Sequence, residues 1–193
     1  VGRMWRAAAF RAAYEAYRDP RYAQALLSLS PAGHREITAK DITAELQAAA
    51  ATLKHEPGYE SRHLAGYGLA TLQNGRPDAA VAAALFYGRF VGHAHHDKLH
   101  LDLFAQNVSM IPDFGYPETA NSNDPRRFGF LAHTVAHNTV MVDARNQANG
   151  RGRCLAYDSG PGCQYVEARN DQAYPHCSEY RRSVLLVMAI SLY

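Results

Sequence analysis

The stretch Gly92-His93-Ala94-His95-His96-Asp97 sets three histidines and one carboxylate within six residues of a 193-residue chain. Neutral imidazole is the commonest side-chain metal ligand and carboxylate its regular partner in divalent sites, so the stretch reads as metal chemistry before packing. His93 and His95 are two positions apart, and in an extended segment they project to one face while His96 projects to the other. Asp113 and His137 follow downstream. If residues 99–105 and 108–112 are antiparallel neighbours, Asp113 at the end of the second strand returns to the start of the first, beside His95. A further strand starting after His137 brings in a third ligand. His95, Asp113 and His137 then give two imidazoles and one carboxylate, a set suited to zinc with water or substrate as fourth ligand. His34, His55, His63, His100, His133 and His176 have no such company and read as ordinary hydrogen-bonded histidines.

The elements that must position these groups are legible in the periodicity. Trp5, Ala9, Ala12, Ala13 and Ala16 share one helical face, and Asp19-Pro20 ends that pattern. Tyr22, Ala25, Leu26 and Leu29 mark a second helix stopped by Pro31. Thr38-Ala39-Lys40-Asp41 resembles a capping box opening a third, with Ile42, Leu46, Ala49, Ala50 and Leu53 on its buried stripe. After Glu56-Pro57-Gly58 the period changes. Residues 64–72 and 79–87 flank the turn-rich Asn74-Gly75-Arg76-Pro77-Asp78 as a β-hairpin. Leu99, Leu101, Leu103 and Ala105 alternate with His100, Asp102 and Phe104, which is the period of a half-buried strand. Gln106-Asn107 turns it back, and further strands are expected at 139–143, 164–168 and 184–190. Helices followed by strands predict an α+β chain with a boundary near residues 56–64.

Composition sets outer bounds. With 47% hydrophobic and 20% charged residues the chain has the make-up of a globular protein with a full core. A net charge of +2 gives no reason to expect nucleic acid as a partner, although Arg126, Arg127, Arg145, Arg151 and Arg153 permit an anionic ligand. Three cysteines, Cys154, Cys163 and Cys177, form neither a CxxC pair nor an even disulfide framework. No apolar run approaches the ~20 residues of a bilayer span, so no membrane partner is expected. The chain opens on Val and stops inside an apolar run, and is expected to be a piece of a longer protein.

Two short motifs compete for the histidine cluster. Residues 93–97 fit the HxHxDH pattern of metallo-β-lactamase-like hydrolases, except that Lys98 stands where the last histidine belongs. His95-His96-Asp97 with a distal histidine also matches the HxD…H triad of iron(II) oxygenases. A wider resemblance outranks both. Gly92-His93-Ala94-His95-His96-Asp97-Lys98-Leu99, Pro112-Asp113-Phe114-Gly115-Tyr116 and Ala136-His137-Asn138-Thr139-Val140-Met141-Val142-Asp143 resemble, in order, the GHxHxDxL, DxGxY and HNTVxVD blocks of heparinase II/III-like polysaccharide lyases.

The resemblance implies the C-terminal helices of an α/α-toroid (1–60) followed by an antiparallel β-sandwich (61–193), truncated at both ends. It implies β-elimination on uronate-containing acidic polysaccharides of the heparin, heparan sulfate or alginate class. Zinc, mainly structural, falls to His95, Asp113 and His137, and His93 becomes the substrate-facing catalytic candidate. Tyr116 and Arg127 are candidate substrate contacts, and Asn138 supports the turn around His137. The family's principal Tyr base and its Asn or His neutraliser lie upstream in the toroid, so this piece alone is expected to be inactive. The family further implies a periplasmic or secreted protein, and leaves a homodimer open. Two other functions stay in view: a zinc-stabilised, non-catalytic carbohydrate-binding module, and a metal-dependent hydrolase using the HxHxD stretch with Asp97 as a ligand.

Overall fold

A computed structural model describes residues 2–29, 40–53, 60–74, 80–89, 94–106, 108–116 and 123–188. The chain forms two compact units, Val1–Gly58 and Tyr59–Tyr193. The first holds α1 (Gly2–Tyr17), α2 (Pro20–Leu29) and α3 (Lys40–Ala50). Asp19 caps α2 by accepting the Arg21 backbone N–H at 2.9 Å, with Pro20 in the first turn, where a missing N–H costs nothing. Tyr14, Ala23, Leu26 and Leu46 form the core, with Phe10 and Tyr22 packed against it. This corrects the alanine stripe expected on α1: Ala9, Ala12 and Ala16 are exposed. Phe10 and Tyr14 remove far more apolar area from water than alanines can, and they choose the buried face.

The second unit is built of antiparallel sheets. β1 (Arg62–Leu64), β2 (Leu69–Gln73), β3 (Val81–Phe86), β4 (His100–Ala105) and β5 (Val108–Ser109) pair in sequence order. β6 (Arg153–Asp158), β7 (Cys163–Arg169) and β8 (Arg181–Val187) form a three-stranded sheet. Ala70, Leu72, Leu85 and Tyr87 from the first meet Val166, Ala168 and Tyr180 from the region of the second in one buried core, so the two layers form a sandwich. Helices and an antiparallel sandwich are the fold class that the sequence predicts.

Local departures have physical causes. The predicted first hairpin arm breaks into β1 and β2 at a turn ending in Gly68, whose φ is +85°. A Cβ there would lie 2.2 Å from the Cα of Gly88, so only glycine lets the turn approach the end of β3. β5 is two exposed residues rather than a strand reaching Pro112. Residues 139–143 form no strand: a short 3-10 turn, Thr134–Ala136, leads into a loop in which Asp143 and Ala144 both have φ +53°. β8 begins at Arg181, earlier than the apolar run suggests, and half-buried Arg182, Val184 and Leu186 alternate along it with exposed Arg181, Ser183, Leu185 and Val187.

Candidate metal centre and cleft

Three segments converge at the start of β4. The first, residues 94–99, reaches β4 through Leu99, which is buried at φ +59°. A γ-branched residue in the left-handed region is strained and persists only where its surroundings over-determine it. Here they do. The Lys98 carbonyl accepts from Thr139 Oγ1 at 2.8 Å and from Gln147 Nε2 at 2.9 Å. Gln147 Oε1 in turn accepts the Lys98 N–H. Arg182, on β8, donates from Nη1 to the carbonyls of Leu99 and Asn138, both at 2.7 Å. Burial pulls the Arg182 pKa below its ordinary value. The kink at Leu99 is thus clamped to residues 138–139, which places the histidines on either side of it.

Asp113 stands on the second segment, His137 on the third. His137 Nδ1 donates to Asp113 Oδ2 at 2.5 Å, and the Gly115 N–H donates to Asp113 Oδ1 at 2.5 Å. Burial raises the proton affinity of Asp113, but these two hydrogen bonds, together with the nearby His137 and His100 rings, outweigh it and hold the carboxyl below the usual range. The tautomer that carries its proton on Nδ1, toward Asp113, has its lone pair on Nε2. That atom is buried and has no hydrogen-bond partner among the described residues. His95 Nε2 is in the same condition. The His95 and His137 rings lie 5.1 Å apart, and burial, then the neighbouring His137, lowers the His95 pKa, favouring the neutral ring. Two buried, unsatisfied imidazole nitrogens beside an ionised carboxylate are a ligand-hungry arrangement, since orphaned polar atoms are otherwise costly.

His100, which the sequence reading treats as ordinary, also belongs here. One ligand atom each from His100, Asp113 and His137 lies within 4.8 Å of the others. Both ring nitrogens of His100 are engaged, however. Nδ1 accepts the Asn138 N–H at 3.1 Å, and Nε2 pairs with Asp102 Oδ1 at 3.0 Å. Asn138 Nδ2 donates to the Ile111 carbonyl at 2.7 Å, so Asn138 supports the turn around His137.

The cluster opens into a pocket of about 700 Å³ whose lining includes Tyr67, Phe86, Arg89, His95, Asp97, Asp113 and Tyr116. The Tyr116 ring packs 4.7 Å from that of His95, and the Arg127 guanidinium lies 5.1 Å from the Tyr116 ring. The two candidate substrate contacts are therefore neighbours at the metal candidate's edge. His93 lies outside the described residues.

Residues 56–188 match the family described as Heparinase II/III-like, C-terminal. The chain belongs to this family. It is 30% identical over 111 residues to an alginate lyase of Stenotrophomonas maltophilia, covering 50% of this chain and 15% of that protein. It is 29% identical over 117 residues to an exo-oligoalginate lyase of Saccharophagus degradans, covering 53% and 16%. The heparan sulfate lyase HepC from Pedobacter heparinus has the same fold, with a TM-score of 0.70 and 19% identity across 96% of this chain and 26% of HepC. The chain thus spans about a sixth of the curated relatives' length.

Within this heparinase-like domain the competing hydrolase motif fares poorly on physical grounds. Lys98 is 1% exposed, its ammonium 2.6 Å from Asp97 Oδ1 and 4.6 Å from the Phe86 ring centre. A buried cation paired with Asp97 repels a second metal where the hydrolase would need one. The sequence reading missed His100, Arg182 and Gln147. Only His100 carried a signal, its place within five residues of His95.

Proposed function

We propose that a protein carrying this domain is a polysaccharide lyase that cleaves uronate-containing acidic polysaccharides by β-elimination, with a zinc ion held by His95, Asp113 and His137. The pair of buried, unsatisfied Nε2 atoms on His95 and His137, beside an ionised Asp113, carries the metal reading. Zinc, where bound, would offset the Asp113 charge and tie together the segments that bear the three side chains. Its role in this reading is structural. The lyase reading is supported by family membership and by relatives named for alginate and heparan sulfate, both uronate polymers.

β-Elimination removes the proton at C5 of the uronate, and the adjacent carboxylate takes on enolate charge. The C4–O bond then breaks as the C4–C5 double bond forms, and the leaving glycosidic oxygen takes up a proton. Groups that meet the enolate charge only as it develops lower the barrier. Arg89 in the pocket lining and Arg127 over Tyr116 are cations at the cleft that suit an anionic chain. His93 is the substrate-facing candidate, and a Tyr or His supplies the base. Turnover is proposed for a protein with a complete cleft, not for this chain alone, and such a protein would work in the periplasm or outside the cell, where these polymers are met.

The test is ultraviolet absorbance of unsaturated uronate products from alginate and heparan sulfate, for this chain and for one extended N-terminally. Product from the extended protein alone supports the reading. Absence of product in both, with saturable glycan binding, would replace it with a non-catalytic carbohydrate-binding module. Metal analysis separates the hydrolase alternative: zinc is expected to be lost in His95→Ala and Asp113→Ala and kept in Asp97→Ala.

A further inference from the structure

Beside the histidine cleft the surface is aromatic to a degree that ordinary solvated surfaces are not. Phe114 is 66% exposed, Phe128 56%, Phe130 44% and Tyr116 37%. They belong to two neighbouring segments. The wide turn Arg127–Leu131, closed by the Ala132 N–H to the Arg127 carbonyl at 2.8 Å, lies against residues 114–116. Phe114 meets Phe130 with ring centres 5.7 Å apart and planes at 58°, so the two rings form an angled corner and do not cover each other's faces. Arg127 sits between Tyr116, at 5.1 Å, and Phe128, at 4.8 Å. Tyr116 also lines the pocket. The aromatic surface is therefore continuous with the cleft.

We propose that the Phe114–Phe130 corner, together with Phe128 and the Arg127 beside it, forms a sugar-stacking subsite that holds residues of an acidic polysaccharide chain one or more units away from the histidine cleft. Pyranose rings present flat C–H faces that cover exposed aromatic rings, while their carboxylate or sulfate groups require a cation at the edge. The two segments offer both, with Arg127 packed on Tyr116 and Phe128, and a cation there favours an anionic chain over a neutral apolar protein segment. The inference rests on the uronate-polymer reading and extends it by making affinity depend on chain length.

Isothermal titration of the full chain with alginate and heparan sulfate disaccharides and hexasaccharides tests it. The wild-type protein is expected to prefer the hexasaccharide of at least one polymer. Phe114→Leu/Phe130→Leu, which keeps apolar bulk but removes the flat rings, is expected to cut that length advantage by about tenfold per ring, because a branched side chain cannot lie flat on a sugar and leaves about 50 Å² of the facing apolar surfaces in water. Phe114→Tyr/Phe130→Tyr, which keeps both rings, is expected to preserve it. Thermal melting verifies that each variant folds, and single Phe114→Leu serves if the double variant does not. An undiminished length advantage in the leucine variants overturns the subsite and leaves the uronate reading standing. No binding of either polymer at either length by the wild-type chain overturns the subsite, and the uronate reading then stands or falls on the absorbance test of the extended protein. A change in sedimentation behaviour in the leucine variants, with sugar binding untouched, assigns the face to a second copy of the chain and also overturns the subsite.

Discussion

Among the described residues the cluster holds two hydrogen-bonded carboxylate–histidine pairs, and they differ in what remains on the far side of the ring. In Asp113–His137 the carboxylate accepts a hydrogen bond from Nδ1–H, and the buried Nε2 has no hydrogen-bond partner among the described residues. In Asp102–His100 the carboxylate pairs with Nε2, and Nδ1 is filled by the Asn138 backbone N–H. The residue types are the same, but one pair presents a lone pair to an empty direction and the other is saturated. Residue identity and proximity therefore do not separate ligand from scaffold here. Hydrogen-bond accounting does.

The largest expected effect tests the unsaturated side. His137→Ala should bring zinc content from about one ion per chain to near zero and lower stability by on the order of 3 kcal/mol, because it also strips Asp113 of its main partner. Metal analysis and denaturant melts measure the two effects. His95→Ala should lose zinc to the same extent with a smaller stability cost, since no ion pair breaks with it. Retention of zinc in both variants would remove the basis for reading the orphaned nitrogens as ligands. A chelator should lower the melting temperature of the wild-type domain and leave that of His95→Ala unchanged, because only the former has bound metal to lose.

Asp113→Asn is the next step down and decides how the carboxylate serves the metal. A direct ligand that loses its charge should leave the site unable to hold zinc through dialysis. A carboxylate that acts by orienting His137 should cost about 10- to 100-fold in affinity and leave a measurable constant. Competition titration with a zinc-sensitive dye distinguishes the two.

These contrasts also mark what the sequence made legible. The turn-rich stretch 74–78 between residues 64–72 and 79–87 sufficed to predict the β2–β3 hairpin, and the alternation at 99–105 predicted β4. Period two describes a strand's own two faces and contains nothing of the loop at 134–139 that lies against His100. So His100 reads as half of a polar face and is in fact buried. The clamp on Leu99 was hidden for a similar reason: Arg182 and Gln147 act from 83 and 49 residues away, through backbone carbonyls that no motif records. Asp113 and His137 were legible because strand reversal and motif order both placed them, although the strands expected around them are shorter than predicted or absent. On α1 the spacing of alanines misled, because spacing was counted without weighing side-chain area.

The saturated pair offers a milder test. His100→Leu leaves the Asn138 N–H without its acceptor and should cost about 1–3 kcal/mol in a denaturant melt. His100→Asn, whose carbonyl oxygen can stand near the place of Nδ1, should recover part of that. Zinc should remain near one ion per chain in both. If zinc is lost instead, the compact grouping of His100, Asp113 and His137 is the ligand set, and the filled nitrogens of His100 have to rearrange to serve it.

Asp102→Asn carries the smallest expected effect and the most symmetrical test. The Asp102 carboxylate is 55% exposed, so its bond to His100 competes with water and should be worth only a few tenths of a kcal/mol. If His100 is scaffold, zinc affinity should not change beyond about twofold, because nothing Asp102 orients touches the metal. If His100 is a ligand, Asp102 stands to it as Asp113 would stand to His137 in an orienting role, and its neutralisation should weaken zinc by about 10- to 100-fold. The same chemical change on two carboxylates only eleven residues apart thus separates the two pairs by metal affinity, read from the same dye titration on variants that melting has shown to be folded.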